Sequence, residues 1–480
     1  MDNPNLLIIM DDEHSGNALG CYGHPIAKTP NLDRLARRGT QFQSAYTNSP
    51  ICVPARAAFA TGQYTHQTGY WDNCIAYDGR VDSWGHRLQA AGVETTSIGK
   101  LHYVDDRAST GFDRQILPMH IHEGGDTQGL VRDPPSPRPQ CRDMAENLGA
   151  GETEYTRYDC NIRDTAKDWL KTRAAASSDR PWTTFVSFIC PHYPLVAPQK
   201  FFDLYNPADM PLPKRRSDDG TAQTEWWRTF ESSYLWDKYF TSDDHRRVAI
   251  ASYYALVSFI DDCVGQLLNV LEQTGLAENT RVLFLSDHGE SLGARGLWGK
   301  STMYNESVQV PMIMSGPGIP KGVMRRTPVQ LIDVFPTVLD NAGLEPAEDR
   351  PGRSLIEIAN LPDDQSRPIF SEYHATAAIS AEYMIRRGRY KYIHYVGYQP
   401  ELYDLEDDPE ELSNLANKPG FSGILREFEA QLHGILDPEA TDRAAKADQQ
   451  VLIDRYGGRE AVATKHSASA TPAPKAVETT

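Results

Sequence analysis

Asn5–Met10 (NLLIIM) is a short unbroken apolar run that ends in Asp11-Asp12-Glu13, the pattern of a buried strand that delivers carboxylates at its C-terminal edge. Further strands are predicted at Glu94–Ile98, Thr183–Ile189, Arg281–Ser286 and Val310–Met314. Helical periods fall between them. Thr29-Pro30 supplies a cap and a proline at the first helical position, Leu32, Leu35 and Ala36 fall on an apolar face, and Gly39 closes the segment. Pro54 opens a second helix through Ala60, and Trp84–Ala91, Asn161–Ala175 and Arg246–Thr274 are further helices. Strands and helices alternate to about residue 345, which predicts an α/β fold over residues 1–345: a large, mostly parallel sheet sandwiched by helices. In such sheets ligands bind beyond the C-terminal ends of the strands.

The pattern then changes. Pro368–Tyr373, Tyr383–Arg387 and Tyr390–Tyr395 are short, closely spaced strand-like runs, followed by a helix near Gly423–Leu436. They predict a smaller C-terminal α+β subdomain over 346–464 with an antiparallel sheet. Residues 103–155 and 203–242 lack clear periodicity and are rich in Pro, Gly, Asp and Arg, which predicts long surface loops bordering a site. The stretch Ser467–Thr480 is almost all small or polar residues and proline, so 465–480 is expected to be a disordered tail.

Charge and cysteine usage narrow the class. The 480 residues carry 48 Lys plus Arg against 65 Asp plus Glu, a net charge of −17, which argues against nucleic acid or an anionic membrane as the main partner. Seven of the eleven residues from Glu401 to Glu411 are acidic, and this stretch reads as a solvated turn. With no basic leader and no run of about 18 apolar residues, the chain is expected to be soluble and cytoplasmic. Seven scattered cysteines without a C-x-x-C pair argue against a disulfide framework or structural zinc. A chemically special cysteine must then stand out by its context.

One does. Cys52-Val53-Pro54-Ala55-Arg56, continuing to Thr61-Gly62, resembles the signature of the type I, formylglycine-dependent sulfatases of the alkaline phosphatase superfamily. The resemblance implies that Cys52 is oxidised to 3-oxoalanine (formylglycine) by a formylglycine-generating enzyme. A hydrated aldehyde carries two hydroxyls on one carbon. One can attack sulfur in line, and proton loss from the other then expels sulfate by C–O cleavage and restores the aldehyde, whereas a serine would be left sulfated. The helix opening at Pro54 points N–H groups toward an anion, and Arg56 is expected to hold the diol by charge-assisted hydrogen bonds.

Such chemistry needs a hard divalent cation on oxygen ligands at strand ends. Asp11-Asp12-Glu13 and Ser286-Asp287-His288-Gly289-Glu290 resemble the family's metal motifs. Counting back from Gly20-Cys21-Tyr22-Gly23 places the paired ligand positions on Asp12 and Glu13, with Asp11 one position early. The implied metal set is Asp12, Glu13, Cys52, Asp287 and His288. The Asp287-His288 pair is similar to choline sulfatases and phosphonate monoester hydrolases, and one nitrogen among oxygens suits Ca²⁺ while making Mn²⁺ an alternative. Gly99-Lys100-Leu101-His102 resembles the family's Gly-Lys-x-His element, Pro191-His192 its Pro-His element, and Lys300 the lysine downstream of the second metal motif. Asn73 matches an asparagine near the nucleophile in the choline sulfatase and phosphonate hydrolase branches. Lys100, His192, Lys300 and Asn73 are thereby expected to bind the substrate, with His102 as the proton relay. The segment Glu401–Ala416 resembles the family's closing motif, so the resemblance runs from about Asn5 to about Ala416.

The expected reaction is hydrolysis of a small-molecule sulfate monoester. A phosphonate monoester or phosphodiester hydrolase on the same scaffold is the alternative, disfavoured because that branch carries neutral hydroxyl residues where Lys100 and His102 stand. A catalytically silent binding protein with unmodified Cys52 is a third reading. Trp226, Trp227 and Tyr234 could form an aromatic wall for the alcohol or a packing cluster, with packing favoured. The subdomain after 345 could supply a homo-oligomer interface.

Overall fold

The computed structural model describes residues 3–176, 180–213, 224–345, 347, 349–464 and 471–474. Its main sheet has eight strands: β1 (Asn5–Asp12), β2 (Gly39–Phe42), β3 (Glu94–Lys100), β4 (Arg114–Met119), β5 (Trp182–Pro191), β6 (Thr280–Ser286), β7 (Met312–Ser315) and β8 (Val323–Arg325). They lie in the order β8-β2-β7-β6-β1-β5-β3-β4. Strand β7 runs antiparallel to both neighbours, and the other pairings are parallel. The predicted mostly parallel α/β sheet is therefore present. Leu6, Ile8 and Met10 enter one apolar core while Leu7 and Ile9 enter another, so β1 is buried on both faces. That double burial is why its sequence is continuously apolar rather than alternating.

Helices cover both faces. The main ones are α1 (Pro30–Arg37), α2 (Cys52–Thr61), α3 (Trp84–Ala90), α4 (Glu154–Ala175), α5 (Asp243–Gln273) and α6 (Val334–Asn341). Helix α5 is capped by Ser242, whose hydroxyl accepts from His245 N, and carries Asp243 and Asp244 in its first turn. It is long and apolar enough to cross a membrane by length and composition, but it is mostly buried inside the protein, packed against α4 and β5.

The predicted strands and helices overlap the observed ones, although the helix predicted from Asn161 already begins at Glu154, and one shift bears on the site. Helix α2 begins at Cys52 rather than Pro54, which puts Cys52 in its first turn. Strand β4 and the buried side chains of Leu130, Val131 and Met144 lie inside the stretch expected to be surface loop.

The C-terminal part forms the expected antiparallel sheet, β9 (Ile369–Tyr373), β10 (Glu382–Arg387), β11 (Tyr390–Tyr395) and β12 (Glu401–Asp404), with helices α7 (Ser422–Ile435), α8 (Pro438–Arg455) and α9 (Arg459–Thr464). The solvated-turn reading of 401–411 is corrected at its ends. Glu401 accepts the hydroxyls of Tyr304 at 2.7 Å and Tyr403 at 3.0 Å, and Glu411 meets Lys391 at 2.7 Å with both side chains fully buried. These carboxylates sit where the small sheet packs on the large domain, and buried partners replace water. Of the tail expected to be disordered, residues 471–474 lie against α4, where Tyr155 donates to Thr471 O at 2.6 Å, and the rest is outside the described residues.

Candidate active site

Four parallel strands end at one edge of the sheet, and each delivers a predicted residue there: β1 gives Asp12 and Glu13, β3 Lys100, β5 His192 just beyond Pro191, and β6 Asp287 and His288. Gly99 makes the β3 delivery possible. Its φ is +101° and an added Cβ would stand 2.2 Å from Ser187 O, so only glycine lets β3 lie this close to β5 as it turns out Lys100.

Cys52 sits beneath these strand ends, 2% exposed, with Sγ 3.1 Å from His288 Nε2 and 3.6 Å from Asp12 Oδ1. Burial, followed by the charge of Asp12, pushes its thiol up to about 12, so an unmodified Cys52 is a neutral thiol at pH 7. The donor atoms of Asp12, Cys52, Asp287 and His288 lie within 4.8 Å of one another. These residues fit a divalent cation. His288 Nδ1 lies 3.1 Å from Gly289 O, and an N–H donated to that carbonyl leaves the Nε2 lone pair turned toward Asp12 and Cys52. Two buried carboxylates also supply the negative charge a cation needs.

Glu13 belongs to a second group, with Asp12 and His192. Its Oε2 takes Lys300 Nζ at 2.8 Å and faces His192 Nε2 at 3.2 Å, while among the described residues its Oε1 is buried without a hydrogen-bond partner. Burial raises the Glu13 carboxyl well above the usual range against the opposing charge of Lys300. Asp11 turns away from both groups and holds His14 at 2.6 Å, as the register count anticipated.

Arg56 lies deeper than the diol contact expected of it. Its Nε donates to Asp287 Oδ2 at 2.8 Å, Nη2 to Asp12 Oδ2 at 3.0 Å, and Nη1 to Ser187 Oγ at 2.9 Å and Lys100 O at 3.0 Å. At 1% exposure it positions the two carboxylates from below. Lys100 Nζ reaches the same Asp12 Oδ2 at 2.6 Å. Burial alone would raise the Asp12 carboxyl, but Lys100 and Arg56 hold it well below the usual range.

The helix end is also less open to an anion than its sequence implied. Val53 N–H donates to Asn73 Oδ1 at 3.2 Å, Pro54 has no N–H, and Ala55 N is bonded to Ile51 O. Asn73 thus caps α2 from a neighbouring loop while lining the cleft. His102, with φ +55°, lines it too, and among the described residues neither ring nitrogen has a partner. Burial, then Lys100 and Arg56, lower its pKa well below 6.5, so the ring is neutral. Burial and then Lys300 likewise lower His192, whose Nδ1 lies 2.7 Å from Tyr193 O.

These groups line one cleft of about 320 Å³. Its outer wall contains residues that sequence reasoning passed over: Tyr155, Tyr193, Trp236, Asp126, Arg138 and Pro472. Isolated aromatics in aperiodic loops carry no local signal. The proposed aromatic trio divides: Trp226 and Trp227 are buried packing residues, 0% and 1% exposed, and Tyr234 lines the cleft.

Lys100, Lys300 and His192 line the cleft together with Cys52, a cationic and metal-competent lining that suits the tetrahedral anion of a sulfuryl or phosphoryl ester. Comparison with known proteins sharpens the class. The family model "Sulfatase" matches residues 4–344, and the chain belongs to that family, whose members hydrolyse sulfate monoesters. A second model, "N-sulphoglucosamine sulphohydrolase, C-terminal", matches residues 293–437. The choline-sulfatase of Rhizobium meliloti (strain 1021) is 34% identical over 463 residues, covering 93% of this chain and 89% of that protein. Human arylsulfatase K is 28% identical over 463 residues, covering 90% and 82%. Among solved structures, the phosphonate monoester hydrolase of Agrobacterium radiobacter superposes with a TM-score of 0.72 at 22% identity, over 93% of this chain and 96% of that one. BT4656, solved with its substrate D-glucosamine-2-N,6-O-disulfate, gives 0.72 at 24% identity, over 93% and 99%. At these identities the structures establish the common fold.

Proposed function

We propose that the protein hydrolyses a small-molecule sulfate monoester with formylglycine at position 52 as nucleophile. The observation that carries this reading is the place of Cys52: in the first turn of α2, on the floor of the cleft, 3.1 Å from a metal-competent imidazole nitrogen and 3.6 Å from a metal-competent carboxylate oxygen. Hydrated formylglycine supplies a nucleophilic hydroxyl and a second hydroxyl whose proton can leave. A divalent cation held by Asp12, Asp287, His288 and residue 52 would lower the pKa of the diol and gather sulfate oxygens, with Ca²⁺ favoured by the carboxylates and Mn²⁺ the alternative. Glu13 stands beside that set, tied to Lys300 and His192.

Lys100 and Lys300 neutralise the sulfate oxygens, and His192 borders the same subsite. Arg56 keeps Asp12 and Asp287 oriented. Neutral His102, free at both nitrogens among the described residues, takes a proton at one and offers an N–H to the leaving oxygen at the other. Maturation calls for a formylglycine-generating enzyme.

Mass analysis of the tryptic peptide 39–56 tests the nucleophile, since conversion of thiol to aldehyde removes about 18 Da. A fully unmodified peptide from protein that still turns over sulfate esters refutes it. The phosphonate reading is tested beside it. A kcat/KM for a phenylphosphonate monoester above that for the matching aryl sulfate would replace the sulfatase reading.

A further inference from the structure

The cleft has a second cationic feature, separate from the groups that hold sulfate. Arg138 lines the outer wall and is only 8% exposed. Its Nη2 meets Asp126 Oδ2 at 2.9 Å, its guanidinium lies 5.7 Å from the Tyr234 ring, and its backbone N–H donates to Ser233 O at 3.0 Å. Among the described residues its Nη1 is buried with no hydrogen-bond partner. Two other buried arginines differ: Arg56 and Arg132 have partners on all three nitrogens. A buried guanidinium that lines a ligand cleft with one nitrogen unpaired among the described residues favours an acceptor oxygen beside it.

The surroundings hold this donor in place and set its preference. Gln140 donates to Gln128 Oε1 at 2.8 Å, and Gln128 donates to Pro137 O at 3.1 Å and Ala463 O at 3.2 Å, which ties the loop that carries Arg138 to helix α9. Asp126 Oδ2 already accepts both Arg138 and Thr376, so it is committed within the wall rather than presented to a ligand. Among the described residues Arg138 shares no ion-pair partner with Lys100 or Lys300, which pair with Asp12 and Glu13. A cleft of about 320 Å³ has room for a sulfate group and one ring-sized alcohol.

The geometry points to Arg138 as the specificity determinant for the alcohol half of the substrate: it receives an anionic oxygen, so the preferred substrate is a sulfate monoester whose alcohol bears a second negative charge, a carboxylate or another sulfur oxyanion. The assignment rests on the sulfatase reading above. A cationic alcohol would instead meet a buried guanidinium.

The test uses the mature enzyme, shown by mass to carry formylglycine, with 4-nitrophenyl sulfate, 3- and 4-sulfooxybenzoate, their methyl esters, 4-sulfooxybenzenesulfonate and choline sulfate. The wild type is expected to favour an anionic substrate over its neutral counterpart by about tenfold or more in kcat/KM. The esters have the better leaving groups, so intrinsic reactivity runs the other way. Benzoate against sulfonate tells which anion fits. Arg138→Gln should bring the acid-to-ester ratio to about one, chiefly through KM, and Arg138→Lys should restore part of it. Turnover of 4-nitrophenyl sulfate with equal or better use of the esters, or choline sulfate as the best substrate, overturns the assignment of Arg138. An equal loss on every substrate in Arg138→Gln does the same, because it marks a purely structural role. No turnover of any sulfate ester by formylglycine-bearing enzyme overturns the sulfatase reading itself, and the assignment with it.

Discussion

Arg56→Ala is the most demanding single test of how the site is built. The guanidinium is 1% exposed, makes four hydrogen bonds, and bridges Asp12 and Asp287, both fully buried. Removing it leaves two like charges in the interior with Lys100 as their nearest cation. Breaking a buried pair by deleting one partner costs about 3–5 kcal/mol, mostly because the survivor is left buried and charged. The expected outcome, in chelator-treated protein at pH 7, is a loss of that size in a denaturant titration. The origin can be isolated with Asp12→Asn. In that background the same Arg56→Ala change should cost at least about 1 kcal/mol less, since one of the stranded charges is gone.

The pH dependence has a fixed sign. Asp12 is held well below its ordinary 3.8 by Lys100 and Arg56, so this stabilisation is complete above 3.8 and fades as pH falls through the lower folded value. Excess Ca²⁺ or Mn²⁺ should recover part of the lost stability, because a cation bound by the folded state compensates the same carboxylates. A loss under about 1 kcal/mol, or an identical loss in both backgrounds, would refute the view that Arg56 acts by neutralising the two carboxylates.

Cys52→Ala should abolish sulfate ester turnover and leave the melting temperature within a few degrees, and residual turnover at the wild-type rate would sink the mechanism. Gly99→Ala should destabilise by about 1–3 kcal/mol and lower kcat/KM, because its methyl meets Ser187 O and its φ of +101° is strained for alanine; a neutral result in denaturant titration counts against the close approach of β3 and β5. The fully buried Glu372 joins the two parts of the chain, with His66 Nδ1 at 2.9 Å and His374 Nε2 at 2.9 Å. These histidines hold the Glu372 carboxyl at about 2 against the opposing effect of burial, and Glu372 raises His66 against burial in turn. The Glu372 contribution is complete above its ordinary 4.5 and is lost toward 2, while that of His66 is complete below 6.5 and lost above it. Glu372→Gln should therefore cost most between about pH 4.5 and 6.5, and a penalty that keeps growing above pH 7 would contradict the pairing.

The element pattern was legible because β1, β5 and β6 are buried and carry largely apolar stretches, Leu6–Met10, Phe185–Ile189 and Val282–Leu285, while β3 carries the β-branched Thr95, Thr96 and Ile98. Short strands were not: Gly39–Phe42 and the edge strand Val323–Arg325 have only four and three residues, too few for periodicity to register. The start of α2 was misread because proline at the first turn is a strong local cue, yet Ile51 already adopts the extended cap conformation, so Cys52 and Val53 precede Pro54 within the helix. Residues 401–411 looked solvated because acidity reads as exposure, whereas Tyr304, Tyr403 and Lys391 come from elsewhere in the chain to receive Glu401 and Glu411.

By itself the sequence determined the α/β class, the sheet edge that carries chemistry, and the residues with reactive side chains, because each of these depends on local periodicity or on a motif of near neighbours. Only the tertiary structure decided how those residues divide their roles. Arg56 bridges Asp12 and Asp287, Asn73 caps a helix, and Glu13 pairs with Lys300 and His192. The outer wall with Arg138 and Tyr155 was equally out of reach of the sequence. Hydrogen bonding and burial are properties of what stands within a few ångströms in space, and for Asp12, Arg56 and Asp287 those neighbours lie 44 and 231 positions apart along the chain.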